Sequence, residues 1–530
     1  MIKSEYIRHA IDIPTAPYDH LLRTSAERYP DRPAIIFHNQ TLTYSEVVSM
    51  VNRVANGLRD LDIRKGERIC LFTLNCPEYV ITLQAAATIG AVVVPLSPAY
   101  KDLEIAYRLR DAETSTILVH QELVPALLSV LAHIQLPSLR HIIIIGNENV
   151  AHDLPGTISF AQLLRASSSR RPDPANVHID DLFALAYSSG TTGLPKGVML
   201  SHRNLVANHI QILAAAGIRE NDATIIFSPL SHIYSLAVCG TFLAAGATQV
   251  LIDGFNLAKI LDLCERHRVT WIFTTPPIIQ ALANAPDLSQ MRTVKYVLSA
   301  AAPLPYSPAR TLEARTGISV VQGYGLSEAC ATHITPIGSS SNMAYQSVGI
   351  PLPDLRHKIV DAETGTRERA IGEDGEVIVS GPQIMLGYWN APEETERALR
   401  DGWLFTGDIG HIDANGSLYL MDRKKELIKH NAFSIAPAEL ESALLEHPAV
   451  LDAAVIGIPD EETGEVPKGF VVRREGQQVT ENELLAFTND RLANYKRLCG
   501  IEFLDAIPKI PPGKILRREL REYERARRER

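Results

Sequence analysis

The sequence has little that would announce a disulfide scaffold, a metal cage or a membrane span. Its six cysteines, Cys70, Cys76, Cys239, Cys264, Cys330 and Cys499, are scattered over 530 residues. They form no Cys-x-x-Cys pair and no His/Cys cluster at metal-ligand spacing, a usage that suits a reducing cytosol. The longest apolar tract, residues 83–96, is short for a bilayer crossing and contains Thr88 and Gly90. Residues 1–9 lack an apolar core of signal-peptide length. A soluble, cytoplasmic protein is expected. An excess of basic residues is also missing: the formal net charge is −9, which argues against nucleic acid as the main partner. There is no internal repeat of 20–50 residues and no sustained low-complexity run. A Walker loop, Gly-x4-Gly-Lys-[Ser/Thr], is absent as well, so a P-loop nucleotidase is not the natural reading.

What is present centres on residues 187–205. An apolar run at 182–186, read as a buried strand, feeds a loop holding Ser188, Ser189, Gly190, Thr191, Thr192, Gly193, Lys196 and Gly197, and a helical pattern starts near His202. Glycines let backbone N–H groups turn towards an anion, hydroxyls donate, and a lysine adds mobile positive charge: the makings of a polyphosphate cradle. Around it the pattern alternates. Helical spacing over 44–59 and 78–89 is interleaved with apolar strands at 68–72, 91–96, 116–119 and 141–145. Further strands are expected at 224–227, 249–252, 270–274, 294–298 and 319–321. Such alternation predicts right-handed crossovers and largely parallel sheets. Ligands then bind where loops leave the carboxyl ends of strands, and both the 187–205 loop and residues 323–328 are placed there.

A chain this long exceeds one compact core. After about residue 340 the texture changes. Residues 376–380 alternate, and Asp413-Ala-Asn-Gly416 signals a turn between short strands, hence antiparallel hairpins. Beyond the charged run 422–426 comes a compact α+β pattern: helix 438–445, strands 453–458 and 468–473, helix 481–492 and strand 501–504. The expected class is α/β, with a large N-terminal domain of largely parallel sheets plus a small β subdomain, and a smaller α+β C-terminal domain. The boundary falls at 421–425. Residues 517–530 read as a solvated helical tail.

Five more segments carry polar chemistry: 228–234 with His232 and Tyr234; 322–328, where Tyr324 lies between Gly323 and Gly325, followed by Ser327 and Glu328; 402–408, ending in Asp408; Asp422-Arg423, leading to Lys429; and 508–514, presenting Lys514 on a Pro/Gly-rich loop. In this order, over residues 20–520, they closely resemble the adenylate-forming superfamily of acyl- and aryl-CoA synthetases, adenylation domains and luciferases. Ser-His-Ile-Tyr (231–234), Gly-Pro-Gln-Ile-Met-x-Gly-Tyr (381–388) and Ala-Pro-Ala-Glu-Leu-Glu (436–441) are most similar to coumarate-CoA and fatty acyl-CoA ligases.

The resemblance implies two half-reactions. A carboxylate attacks the α-phosphate of ATP to give acyl-AMP and pyrophosphate, and CoA then displaces AMP to give the thioester. It implies that Lys514 bridges carboxylate and α-phosphate, that Thr191, Thr192 and Lys196 hold the β- and γ-phosphates, and that Ser188, Ser189, Gly190 and Gly193 shape that loop. Glu328 and Thr192 would hold Mg²⁺. Tyr324, flanked by Gly323, Gly325 and Ser327, would stack on adenine, and Asp408, assisted by Arg423, would accept the ribose hydroxyls. His232 would close the acyl pocket or orient the carboxylate, with Tyr234, Ala300 and Ala301 lining that pocket. Domains 1–421 and 426–530 would alternate about a hinge at 422–425, centred on Lys425. One pose delivers Lys514; the other brings Lys429 and a CoA tunnel of His430, Asn431 and Ala432.

Two departures stand out. Ala432 and Ser434 replace a glycine and a glutamine of the coumarate-ligase type, and Ala300 replaces a frequent glycine. The first leaves open an acyl-AMP ligase that loads the phosphopantetheine arm of a separate carrier protein. A catalytically silent acyl-binding paralogue is the reading from another class. No acid at 228–235 would meet an α-amino group, and no carrier domain follows residue 530; both count against an amino-acid adenylation module.

Overall fold

The computed structural model describes residues 10–149, 156–173, 176–188, 195–301, 304, 306–338, 345, 347–362, 364–423, 428–431, 433–435, 437–510, 514–515 and 517–528. By contact density the chain divides into two units. The first comprises residues 1–98, 109–187 and 197–422; the second comprises 99–108, 188–196 and 423–530.

The first unit holds two large sheets, and its class is the α/β expected. One sheet has nine strands, in the order Ile350–Pro351, Cys330–Ile334, Ser319–Leu326, Tyr296–Ser299, Trp271–Thr274, Ala223–Ile226, Thr248–Leu251, Pro33–Phe37 and Gln40–Thr43. Its middle pairs are parallel and its edges antiparallel. The other has eight, in the order Gly387–Tyr388, Lys196–Ser201, Leu182–Ser188, Val92–Leu96, Arg68–Phe72, Thr116–His120, His141–Ile145 and Thr157–Ser159. Strands such as Val92–Leu96, buried at every position, are covered on both faces, which is why they read as unbroken apolar runs. The apolar tract at 83–96 resolves into this strand and the buried helix Pro77–Ile89, which is apolar all round. Among the described residues no helix is long and apolar enough to cross a membrane. A third sheet, antiparallel, pairs Arg356–Val360, Gly375–Ser380, Trp403–Ile412 and Leu399–Arg400, with Leu418–Arg423 beside Trp403–Ile412. The turn at Asp413–Gly416 is where the sequence places it.

Helix starts follow local chemistry. Thr43 with Glu46, and Ser201 with Asn204, form reciprocal caps that set the first residues of helices Tyr44–Asp60 and His202–Ala216. The second of these helices carries two fully buried histidines. His202 stacks on Phe183 with ring centroids 4.6 Å apart, and its Nδ1 accepts the Tyr18 N–H at 3.1 Å. His209 packs where Gly240 offers no side chain: a Cβ there would lie 2.2 Å from His209 Nε2.

Several expectations are corrected. Lys196–Ser201 is a strand, not loop, because its apolar residues join the eight-stranded sheet. Residues 323–326 continue strand Ser319–Leu326 and do not leave the sheet as a loop; the turn comes at 327–329. Lys514, expected on a loop, begins strand Lys514–Ile515, paired antiparallel with Lys509–Ile510. The terminal residues are not a free tail: helix Arg517–Arg528 buries Leu520 and Glu524, and Glu524 accepts the Lys468 ammonium at 2.5 Å. A helix that buries Leu520 in an apolar cluster and Glu524 against Lys468 is packed on the unit along that face.

The second unit has a five-stranded sheet in the order Phe433–Ile435, Ile428–His430, Gly464–Arg473 and Val450–Asp460, with Gly500–Phe503 parallel to Gly464–Arg473. Within this unit Lys496 is almost fully buried. Its ammonium donates to Glu104 Oε1 at 2.5 Å and to both oxygens of Glu439 at 2.9 Å. Glu104 Oε2 also accepts the N–H groups of Lys101 and Ala493. Burial opposes ionisation of both carboxylates. It leaves Glu104 raised, while Lys496 and Arg108 draw Glu439 below its ordinary value. Burial alone would lower Lys496, yet Glu439, Tyr495 and Glu104 hold it raised.

Two stability predictions follow from these buried groups. Lys496→Met leaves two carboxylates without their cation, and urea unfolding should show a loss of about 3–5 kcal/mol; a loss under 1 kcal/mol would contradict the geometry. Burial lowers His202 to about 4 and His209 to about 3, from an ordinary 6.5. The unfolded chain therefore takes up protons first, and their contribution is complete above pH 6.5 and declines as pH falls towards 4. The loss is about 1.4 kcal/mol per pH unit for each histidine. Urea midpoints measured from pH 7.5 to pH 5 should fall accordingly, and His209→Asn should flatten the slope by about one proton.

Candidate active site

The carboxyl end of the nine-stranded sheet gathers most of the residues singled out in the first unit. Strand Ser319–Leu326 runs parallel to Tyr296–Ser299 through Gln322, then pairs antiparallel with Cys330–Ile334 from Gly323 onward, with a register shift at Tyr324/Gly325. At Gly325 the two backbones nearly touch: a Cβ would meet Cys330 O at 2.1 Å. Only glycine permits that approach. The reversal aims Tyr324 at Asp408, whose Oδ2 accepts the phenol at 2.5 Å. Asp408 is 5% exposed, follows Gly407 in a left-handed conformation, and takes its N–H to Thr406 Oγ1 at 3.1 Å. Thr332 Oγ1 holds the Tyr324 carbonyl at 3.0 Å.

Glu328 lies in the turn after Ser327. Its Oε1 accepts the Tyr388 phenol at 3.0 Å and its carbonyl accepts Met385 N–H at 2.9 Å. Tyr388 occupies the edge strand Gly387–Tyr388, which pairs with Val198 and Met199.

His232 caps helix Ile233–Ala245, its Nδ1 accepting Tyr234 N–H at 3.2 Å. The imidazole is open to solvent, yet desolvation by surrounding protein lowers its pKa. Tyr234 is alike: half-buried, its pKa raised first by desolvation, with its phenol donating to Leu298 O at 3.2 Å and Thr274 O at 3.4 Å. Thr274 O also accepts Ala300 N–H at 3.1 Å, and Ala300 Cβ is 3.9 Å from where a Gly323 Cβ would stand. Tyr234, Ala300 and Gly323 thus share one corner. Ala301 next to them has φ +72°, a conformation that costs alanine more than glycine. Phe273 meets Tyr234 and Phe242 edge-on, adding apolar area behind the phenol.

In the second unit, Ser188 ends one strand and Lys196 begins the next. Lys429 sits on strand Ile428–His430, with its N–H on Glu465 Oε2 at 2.8 Å. His430 Nδ1 pairs with Glu465 O at 2.8 Å, and Asn431 takes φ +47° at the turn. Ser189, Gly190, Thr191, Thr192, Gly193, Lys425 and Ala432 lie outside the described residues, as do the side chains of Arg423, Ser434 and Lys514.

Sequence reasoning missed the residues that pin this site. Asn75 donates to the carbonyls of Ser228 and Ile252 at 3.0 and 3.1 Å and accepts Leu230 N–H at 2.8 Å; Tyr79 donates to Leu230 O at 3.0 Å. Both are buried some 150 positions upstream of the loop they hold, and no local pattern marks them. Tyr388 stood within a motif used only for likeness. Among the described residues no three His, Cys, Asp or Glu side chains gather as a metal cage.

The AMP-binding enzyme family matches residues 22–389, and the AMP-binding enzyme C-terminal domain matches residues 439–514. A long-chain-fatty-acid–CoA ligase of Bacillus subtilis is 36% identical, covering 98% of this chain and 96% of its own. The 4-coumarate–CoA ligase 5 of Oryza sativa is 37% identical, with 95% and 94% covered. Among solved structures, a long-chain-fatty-acid-CoA ligase from Archaeoglobus fulgidus superposes with a TM-score of 0.81 at 25% identity, covering 95% of this chain and 100% of that one. With this site and these matches along nearly its whole length, the chain belongs to the AMP-binding enzyme family: it is an AMP-forming acid–thiol ligase that activates a carboxylic acid as acyl-AMP and transfers the acyl group to CoA.

Proposed function

We propose that this ligase acts in the cytosol on a hydrophobic carboxylic acid, fatty or aromatic, with its residues in the roles that the resemblance implies. The observation that carries the reading is the Tyr324 phenol on Asp408: an aromatic face for a base and a carboxylate for ribose hydroxyls stand side by side. Stacking on Tyr324 contributes on the order of 1 kcal/mol. Asp408 accepts the ribose hydroxyls, assisted by Arg423, while Thr191, Thr192 and Lys196, within the loop of Ser188, Ser189, Gly190 and Gly193, hold the departing pyrophosphate. Lys514 sits between carboxylate and α-phosphate, two anions that repel until a cation joins them.

Glu328 suits Mg²⁺. It offers a hard oxygen donor of the kind that ion takes, one or two carboxylates together with substrate phosphates. Glu328 and Thr192 would hold it. When bound, the ion neutralises phosphate charge. His232, Tyr234, Ala300 and Ala301 form the acyl pocket, supported by the Thr274 carbonyl that joins Tyr234 to Ala300.

Domains 1–421 and 426–530 alternate about Lys425. One pose delivers Lys514; the other presents Lys429 with His430, Asn431 and Ala432 for CoA. Ala432 and Ser434, where the coumarate-ligase type has glycine and glutamine, favour a second reading in which the acceptor is a carrier protein's phosphopantetheine. The six unpaired thiols accord with a reducing compartment.

A pyrophosphate-release assay with aromatic and short- to long-chain acids, with and without CoA, tests the substrate and the acceptor together. Thioester and pyrophosphate should appear with an apolar acid. Adenylation with no CoA thioester would transfer the conclusion to the carrier reading, and no pyrophosphate with any acid would remove both. Lys514→Ala should lower adenylation by about 10²–10³-fold or more, yet leave thioester formation from supplied acyl-AMP within about threefold. Equal loss in both half-reactions would contradict the alternation.

A further inference from the structure

The strand Gly387–Tyr388 is only two residues long, yet it is tied to three parts of the first unit at once. Leu386 N–H reaches Met199 O at 2.8 Å and Trp389 N–H reaches Gly197 O at 2.7 Å, so the segment is zipped along the strand that follows Lys196. Met385 N–H reaches Glu328 O at 2.9 Å, fastening it to the turn that carries the carboxylate. Trp389 Nε1 donates to Asp111 O at 3.0 Å, and Tyr388 N–H donates to Thr395 Oγ1 at 2.9 Å. Five hydrogen bonds of main chain and indole therefore hold the segment before its phenol makes any contact. A phenol on so constrained a backbone has little freedom in where its oxygen lies. That oxygen donates to Glu328 Oε1 at 3.0 Å.

We propose that Tyr388 is a positioning residue for the metal–ATP complex, setting the plane of the Glu328 carboxylate with its phenolic hydrogen. The inference rests on Glu328 being the carboxylate that meets the ion. A donor on one oxygen restricts rotation of the carboxylate. It also leaves the main-chain fold untouched, because the segment is held by other bonds. Partners one step removed from a metal ligand change metal affinity or activity by about 10–100-fold. The same segment borders Gly197: Trp389 Cβ is 3.2 Å from where a Gly197 Cβ would stand, so the carboxylate and the strand leaving the phosphate loop share one anchor.

The test uses the full-length enzyme and Tyr388→Phe, which keeps the ring and removes the hydroxyl. Binding of ATP with Mn²⁺, followed by the paramagnetic resonance of free Mn²⁺, should weaken about 10–100-fold. Binding of AMP without metal, and thioester formation from supplied acyl-AMP, should stay within about twofold of the parent. The apparent KM for Mg²⁺ in adenylation should rise, with kcat recovering at high Mg²⁺. Glu328→Gln should weaken Mn²⁺–ATP binding by itself, and adding Tyr388→Phe to it should cost nothing further, since the phenol acts through Glu328. If Glu328→Gln weakens metal–ATP binding and Tyr388→Phe does not, the positioning role is overturned and the metal role of Glu328 stands. If Glu328→Gln leaves metal–ATP binding unchanged, both fall. If Tyr388→Phe weakens metal-free AMP binding equally, or lowers the thermal midpoint by several degrees, the hydroxyl is structural and the inference fails.

Discussion

Between Gln322 and Gly323 the last parallel strand of the large sheet becomes the first arm of an antiparallel pair, and the nucleotide end of the site hangs on that change. The constraint is steric. Gly325 lies so close to Cys330 O that a methyl group would occupy the carbonyl's place. With glycine there, the arms close tightly enough to turn Tyr324 towards Asp408 and to put Glu328 on a turn beside the 385–389 segment. Any larger residue would have to move backbone, not a flexible side chain.

The rest of the site is held by polar groups that reach across the fold. Asn75 binds three chain segments at once, at Ile226–Ser228, Leu230 and Ile252, and so fixes the approach to His232. Tyr234 spans the ends of two neighbouring strands. Each such bond ties a carbonyl or N–H at or just beyond the end of a strand to a side chain from another element, so those segments keep fixed positions. A site assembled this way needs little rearrangement to meet charge that develops during phosphoryl chemistry.

Buried ionisable groups are accommodated in two ways. His202 and His209 in the first unit stay neutral: desolvation outweighs the pull of Asp19 and Asp181 on His202, and burial alone lowers His209. In the second, Lys496 stays charged, because Glu104 and Glu439 meet it directly and further N–H donors satisfy Glu104. Paired and fully hydrogen-bonded, a buried cation is tolerated; truncation of one member is what costs most.

The alternation of apolar runs with helical spacing made the α/β class legible, since periodicity records which faces are covered. The short motifs at 322–328 and 402–408 likewise carried their chemistry in the residues themselves. Periodicity does not record partners, however. It could not show that Lys196–Ser201 joins a sheet, that residues 323–326 continue a strand, or that helix Arg517–Arg528 is packed by Leu520 and Glu524. Nor could it pair Tyr388 with a carboxylate 60 positions away, or Lys496 with a glutamate 392 positions away. By itself the sequence determined which residue types are available and the family to which the chain belongs. Only the tertiary structure decided which carboxylate meets which donor, because a hydrogen bond depends on distance and direction, and those arise when strands remote in the chain become neighbours.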